Sequence, residues 1–189
     1  MATDLIYEKF LQTVAEKGEN RTFLNSNEDH AVSVLVKIFQ TSQSTLRIFA
    51  GCLCEHVGNQ PAYIIALSEF IERGGKLYIL LNAFDENKAK VSNLYKRLAY
   101  YKSQGKPIFV KKTPARPYLT NDPEKKEVHF TVGDEKAYRI ETDVEKRTAE
   151  CNFNNPVLAS DTALFFDSLF KRADTEEIDI IKLFNDGHQ

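Results

Sequence analysis

Between Val128 and Phe153 the chain reads VHFTVGDEKAYRIETDVEKRTAECNF, and a single histidine, His129, stands among residues that can hold or repel an anion. A neutral imidazole is nucleophilic near pH 7 and exchanges a proton there, provided that a partner acid and an orienting carboxylate accompany it. Arg139 and Glu141 point the same way along the strand that follows; with Arg147 and Glu150 they read either as cross-strand ion pairs or as a rebuilt anion site. The plainer reading of His129 is a buried, hydrogen-bonded strand histidine.

Two other groups carry chemistry. Cys52, Cys54 and His56 give C-x-C-x-H directly after an apolar strand, at the carboxyl end where open α/β sheets bind ligands. Structural zinc wants a wider cysteine pair and a second pair elsewhere, and Cys151 offers only one more thiol, so ordinary loop thiols are expected. The neighbouring Glu55, Asn59 and Gln60 offer polar contacts to a ligand. The second group is basic: Lys102, Lys106, Lys111, Lys112, Arg116, Lys125 and Lys126 surround a proline-rich loop, with Tyr100, Tyr101 and Tyr118 interleaved. Such a patch holds phosphates and stacks bases, suits an acidic protein partner, or is a solvated surface.

Composition restricts the partners. Lys and Arg number 25 against 27 Asp and Glu, a net charge of -2, which leaves room for a local basic groove but argues against tight nonspecific nucleic-acid binding. No stretch approaches the roughly 18 apolar residues of a membrane span, and MATDLIYEKF lacks a basic then apolar leader, so a cytoplasmic protein with no membrane partner is expected. Three cysteines, two of them too close for an ordinary bridge, fit reduced thiols.

The elements that must position these residues follow from periodicity. Ile6, Phe10 and Val14 predict an amphipathic helix over Asp4 to Lys17, ending near Gly18. Asn25 and Ser26 read as caps of a second helix whose apolar face is Ala31, Val34, Leu35, Ile38 and Phe39. TLRIFAG, KLYILLN and PIFVK read as buried strands separated by helices over Pro61 to Arg73 and Glu86 to Gln104, a β-α-β-α-β pattern typical of a parallel sheet. Pro114, Pro117 and Pro123 then force a long loop. Short strands over Val128 to Gly133, Ala137 to Thr142 and Arg147 to Phe153 follow, and Asn155 and Pro156 open a helix with Val157, Leu158, Leu164, Phe165, Leu169 and Phe170 as its buried face. TEEIDIIKLF, Thr175 to Phe184, reads as a helix or a strand, with helix the preferred reading.

This order resembles the phospholipase D-like superfamily over roughly Thr45 to Arg172: Asn59 leads into a helix, then ERGGKLYIL, a helix, PIFV, a histidine hairpin, and Asn-Phe before the last helix. IIALSEFIERGGKLYILLN, Val128-His129 and Cys151-Asn152-Phe153 carry the likeness. The resemblance implies one α/β domain with a mixed sheet of about six to seven strands and helices on both faces. Residues 1–44 would be a helical extension packed on it, 45–172 the domain itself, and 173–189 a tail.

Active members of that family carry His-x-Lys, four residues and an Asp, then Gly-Ser-x-Asn; the His attacks phosphorus while Lys and Asn hold the phosphate. By that pattern His129 is the nucleophile and Asn152, or else Asn154, the asparagine. The lysine position is Thr131, the aspartate position Lys136 with Asp134 and Glu135 beside it, and Gly-Ser becomes Ala149-Glu150. The His129 to Asn152 gap exceeds the family's, which implies an extended hairpin. A missing donor to the phosphoryl oxygens costs about 2.7 to 4 kcal/mol of transition-state stabilisation, and a missing cation no less.

The resemblance therefore implies a catalytically impaired module that binds a phosphate-containing ligand, nucleic acid or nucleotide, or a protein partner. It would act as a homodimer in which two copies of His129 meet at a two-fold axis. Its site would draw on His129 and Asn152, with Arg139, Glu141, Asn154, Asn59, Lys111, Lys112 and Arg116 around the ligand, and no metal or cofactor. An active phosphodiesterase or nuclease using His129 across the dimer is the alternative, and a purely structural interaction domain the third.

Overall fold

The computed structural model describes residues 2–120 and 122–185. In chain order its elements are α1 (Ala2–Lys17), β1 (Phe23–Asn25), α2 (Glu28–Thr41), β2 (Thr45–Ala50), α3 (Pro61–Glu72) and β3 (Lys76–Leu81). Then come α4 (Glu86–Val91), α5 (Asn93–Ser103), β4 (Ile108–Lys112), β5 (Phe130–Gly133), β6 (Ala137–Asp143) and β7 (Thr148–Asn152). The chain closes with α6 (Pro156–Phe170), β8 (Glu176–Glu177) and α7 (Lys182–Asn185). Among the described residues no helix is long and apolar enough to cross a membrane.

Among the described residues all strands join one mixed sheet in the order β1-β7-β6-β5-β2-β3-β4-β8. β2, β3 and β4 pair in parallel, as their unbroken apolar runs require, because both faces of this part are covered by helices. Strand alternation divides the core. Ile48, Ile79 and Val110 face α1, α2, α3 and α5, where Leu11, Ile38, Tyr63 and Leu98 are buried. Phe49, Leu80, Phe130, Val132 and Tyr138 face α6.

The sheet has eight strands where six to seven are expected, because both flanks contribute an edge. β1 pairs antiparallel with β7, so Asn25 ends a strand, and the cap of α2 is Asn27, whose side chain accepts from His30 N at 2.9 Å. Phe23 needs the burial that strand position gives it. At the other edge the expected tail helix is replaced by β8 on β4, followed by the single turn of α7. Ile178 and Ile180 are both buried, and that two-residue period suits extended chain better than a helix.

Two helices also differ from expectation. The helix read over Glu86 to Gln104 is broken at Ser92, which is extended with ψ 132, and α5 restarts with Asn59 Oδ1 accepting from Asn93 N at 3.1 Å. In α6 the buried residues are Ala159, Ala163, Phe166 and Leu169, while Val157, Leu164 and Phe165 face outward. The two alanines let the helix approach the sheet closely, and that sets its phase over the larger residues. α1 similarly buries Leu11 and Val14 and leaves Ile6 exposed.

The β5–β6 hairpin is the element that presents His129. Asp134 and Glu135 have φ of 49° and 53°, the left-handed pair that matches strand twist in a tight hairpin turn. The Asp134 carboxylate accepts from Ser44 N and Thr45 N, both at 2.8 Å, so the turn is tied to the start of β2. β5 then pairs antiparallel with β2, and the histidine just ahead of it arrives at the carboxyl end of the parallel strands.

Candidate functional site

Pairing register puts the relevant side chains together. Thr131 lies opposite Arg139 and Ile48, and Glu141 N donates to His129 O at 2.8 Å, so His129, Thr131, Arg139 and Glu141 share one face of the sheet. Next to Arg139 on that face β7 offers only Cys151 and Ala149, and the room they leave is filled by the arginine and by Asn25 from β1. The ring of His129 also lies against Gly51 at the end of β2, where a Cβ would stand 3.6 Å from His129 Cε1.

His129 sits between two carboxylates. Its Nδ1 is 3.1 Å from Glu141 Oε2 and its Nε2 is 3.0 Å from Glu127 Oε1, while the ring itself is largely buried. Glu141 is held in turn by Arg139 Nη1 at 3.0 Å and approached by Arg147 Nη1 at 3.7 Å. Arg139 has no free donor face: Nε donates to Asn25 Oδ1 at 2.9 Å and Nη2 to the Arg147 carbonyl at 3.1 Å. On the other side Glu127 accepts from Asn82 Nδ2 at 2.7 Å and from Arg116 Nη1 at 2.6 Å.

Burial by itself would raise both carboxyls, yet both are held below the ordinary glutamate value of 4.5. For Glu141 the contact with His129 and the charge of Arg139 outweigh desolvation. For Glu127 the donors are Asn82, Arg116 and His129. The two carboxylates occupy both nitrogen edges of the His129 ring, Glu141 at Nδ1 and Glu127 at Nε2.

Of the residues expected around a ligand, His129, Arg139, Glu141 and Arg116 come together. Asn152 does not join them: it pairs with Tyr138 on the opposite face, where its Nδ2 donates to Asn20 Oδ1 at 2.9 Å and Thr22 Oγ1 at 3.2 Å. Asn154 donates its backbone N–H to Asn152 and its amide to the Gly18 carbonyl, closing the C-terminal end of α1. Asn59 caps α5. Lys111 donates to Phe170 O at 3.1 Å and lies over that ring, and Lys112 pairs with Glu176 at 2.7 Å.

The basic patch is largely answered by the chain's own groups: Lys102 by Ile108 O, Lys126 by Glu124, Arg116 by Glu127, and Lys125 by the Tyr118 ring. Glu150 turns to the Tyr138 hydroxyl at 2.7 Å, away from His129.

Glu127, Asn82 and Asn25 are the functional neighbours that sequence reading misses. Two had a signal: Glu127 lies two residues before His129, the spacing that shares a strand face, and Asn82 directly follows β3 at the edge where such sheets bind ligands. Asn25 had none, since its role depends on β1 joining β7 across more than half the chain.

Cys52 and Cys54 face each other with Cα atoms 5.1 Å apart, Leu53 between them adopting a φ of 58°. His56 Nδ1 lies 3.5 Å from Glu28. Cys151 is free and buried, and burial pushes its thiol up to about 12, which makes it inert. Among the described residues no group of His, Cys, Asp and Glu side chains has the arrangement to hold a metal ion.

No family model matches the sequence, and no curated protein matches it. Solved structures do resemble it. Nuc from Salmonella typhimurium, a phospholipase D family member, superposes with a TM-score of 0.54 at 13% identity, covering 84% of this chain and 99% of that one. NucT from Helicobacter pylori gives 0.57 at 9% identity, covering 85% and 100%. TrmBL2, an archaeal chromatin protein with a novel mode of DNA binding, gives 0.58 at 14% identity, covering 94% of this chain and 62% of that one. The chain therefore has the phospholipase D-like fold, with His129 on the hairpin at the carboxyl end of the parallel strands.

Proposed function

We propose that this chain is a catalytically impaired phospholipase D-like module that binds a phosphate-bearing ligand, in the class of nucleotides and nucleic acids, and works as a homodimer. The observation that carries the reading is the Glu127 carboxylate 3.0 Å from His129 Nε2. In-line attack on phosphorus needs a lone pair on that nitrogen and cationic donors on the non-bridging oxygens. A carboxylate on Nε2 repels the incoming phosphate. Thr131 stands at the position of the family's lysine, and the guanidinium opposite it, Arg139, is consumed by Glu141, Asn25 and a backbone carbonyl. The likeness to Nuc, NucT and a DNA-binding chromatin protein supports the choice of ligand class.

One observation favours the second reading, an active phosphodiesterase: Glu141 on Nδ1 is the kind of buried carboxylate that orients a nucleophilic imidazole. Both readings meet in one experiment. The purified chain, its oligomeric state fixed by light scattering, is incubated with DNA, RNA and a chromogenic phosphodiester beside His129→Ala. The impaired module shows no turnover above the variant on any of the three while running as a dimer. Turnover that disappears in His129→Ala establishes the phosphodiesterase instead, and a monomer removes the assembly proposed here.

A further inference from the structure

Three donors from three separate parts of the chain converge on Glu127. Asn82 Nδ2, at the end of β3, and His129 Nε2 both address Oε1, at 2.7 and 3.0 Å, while Arg116 Nη1, from the proline-rich loop, addresses Oε2 at 2.6 Å. A glutamate whose side chain is one-quarter exposed does not need such a cradle, because water reaches it. The Asn82 Nδ2 also reaches Ala115 O at 3.4 Å, and its Oδ1, an acceptor that takes no part in binding an anion, is buried with no hydrogen-bond partner. Beside Asn82 a cleft of about 500 Å³ opens, lined by Phe84, Lys112, Thr113, Pro114 and the acidic residues Asp174 and Glu176, the last paired with Lys112.

We infer that Asn82, Arg116 and His129 form an oxyanion site in which Glu127 is a built-in competitor, and that a phosphate group takes the same three donors when the Glu127 side chain rotates into solvent. This deepens the reading of the chain as a phosphate-binding module and rests on it. The chemistry is an exchange of acceptors: a carboxylate and one edge of a phosphate each present two oxygens to a fork of N–H donors. Arg116 is mostly exposed and can follow the incoming anion, whereas Asn82 and His129 adjoin the ends of β3 and β5. A tethered carboxylate competes at an effective concentration in the millimolar range, and it lowers the apparent affinity of any external anion by the fraction of time the site stands open.

Inorganic phosphate is the probe, titrated calorimetrically into the full chain in low-chloride buffer, with circular dichroism confirming that each variant is folded. Glu127→Ala is expected to bind phosphate at least about tenfold more tightly than the wild type, and the double variant N82A/E127A to lose most of that gain. Glu127→Gln, which keeps the volume and removes the charge, makes the same comparison if the alanine variant does not fold. Binding no tighter in the Glu127 variants, or a gain that survives the loss of Asn82, overturns the proposal. The two readings fail separately. Turnover abolished in His129→Ala sinks the non-catalytic function, whereas an unchanged phosphate titration in the Glu127 variants sinks the competitor whatever the turnover.

Discussion

On its Nδ1 side His129 meets a carboxylate that is 5% exposed, backed by a guanidinium that is also 5% exposed. On its Nε2 side the carboxylate is 25% exposed and its guanidinium partner 67%. The two halves of this Glu-His-Glu arrangement have the same chemistry in different dielectric surroundings. Glu141, Arg139 and Asn25 lie on strands of the sheet, so their contacts are part of the core and break only if the sheet opens. Glu127 and Arg116 come from the long connection between β4 and β5, and water competes for them. A buried charge deprived of its partner is costly, whereas an exposed pair is worth little. The buried side therefore belongs to stability, and the open side is where binding can occur.

That contrast is open to direct attack. The largest effect is expected from Glu141→Ala or Arg139→Ala, each of which strands a buried charge. Chemical denaturation of either variant is expected to give a loss of about 3 to 5 kcal/mol, and a loss below 1 kcal/mol would erase the distinction. Acid should act next. Glu141 and Glu127 are both held below 4.5, so the stability they contribute is complete above that pH and disappears as pH falls through their folded-state values. Glu141→Gln is then expected to flatten the acid limb of the stability curve, with urea melts between pH 3 and pH 7 as the measure. Equal flattening from Glu127→Gln and Glu141→Gln would mean that the two sides are alike. The smallest effect belongs to Arg116→Ala, for which denaturation is expected to move by no more than about 1 kcal/mol.

Legibility followed the range of the interactions. The three parallel strands and α2 are read directly because a long apolar run or a helical stripe is a local property of the chain. The histidine hairpin is legible for the same reason, through its turn residues and short β-branched runs. The phase of α6 is not, since Leu and Phe occur on both of its sides and only packing against Phe49 and Phe130 selects the alanine face. The edge strands were hidden too: FLN and EE are too short to carry a period, and they become strands only where β7 and β4 offer unpaired backbone.

The site divides the same way. His129, Arg139, Glu141 and Arg116 stand out in the sequence as residue types that suit an anion, and the structure gathers all four. Asn152 stands out equally, yet strand alternation turns it to the face of Tyr138.

The sequence by itself determined that a histidine hairpin follows a parallel α/β half. Only the tertiary structure decided what the histidine faces. Gly51 lies against it from the end of β2, Glu127 meets its Nε2 from a loop, and Asn82, just past the end of β3, reaches Glu127. Such neighbours are set by sheet order and register, which join segments far apart in the chain and leave no period in the sequence between them.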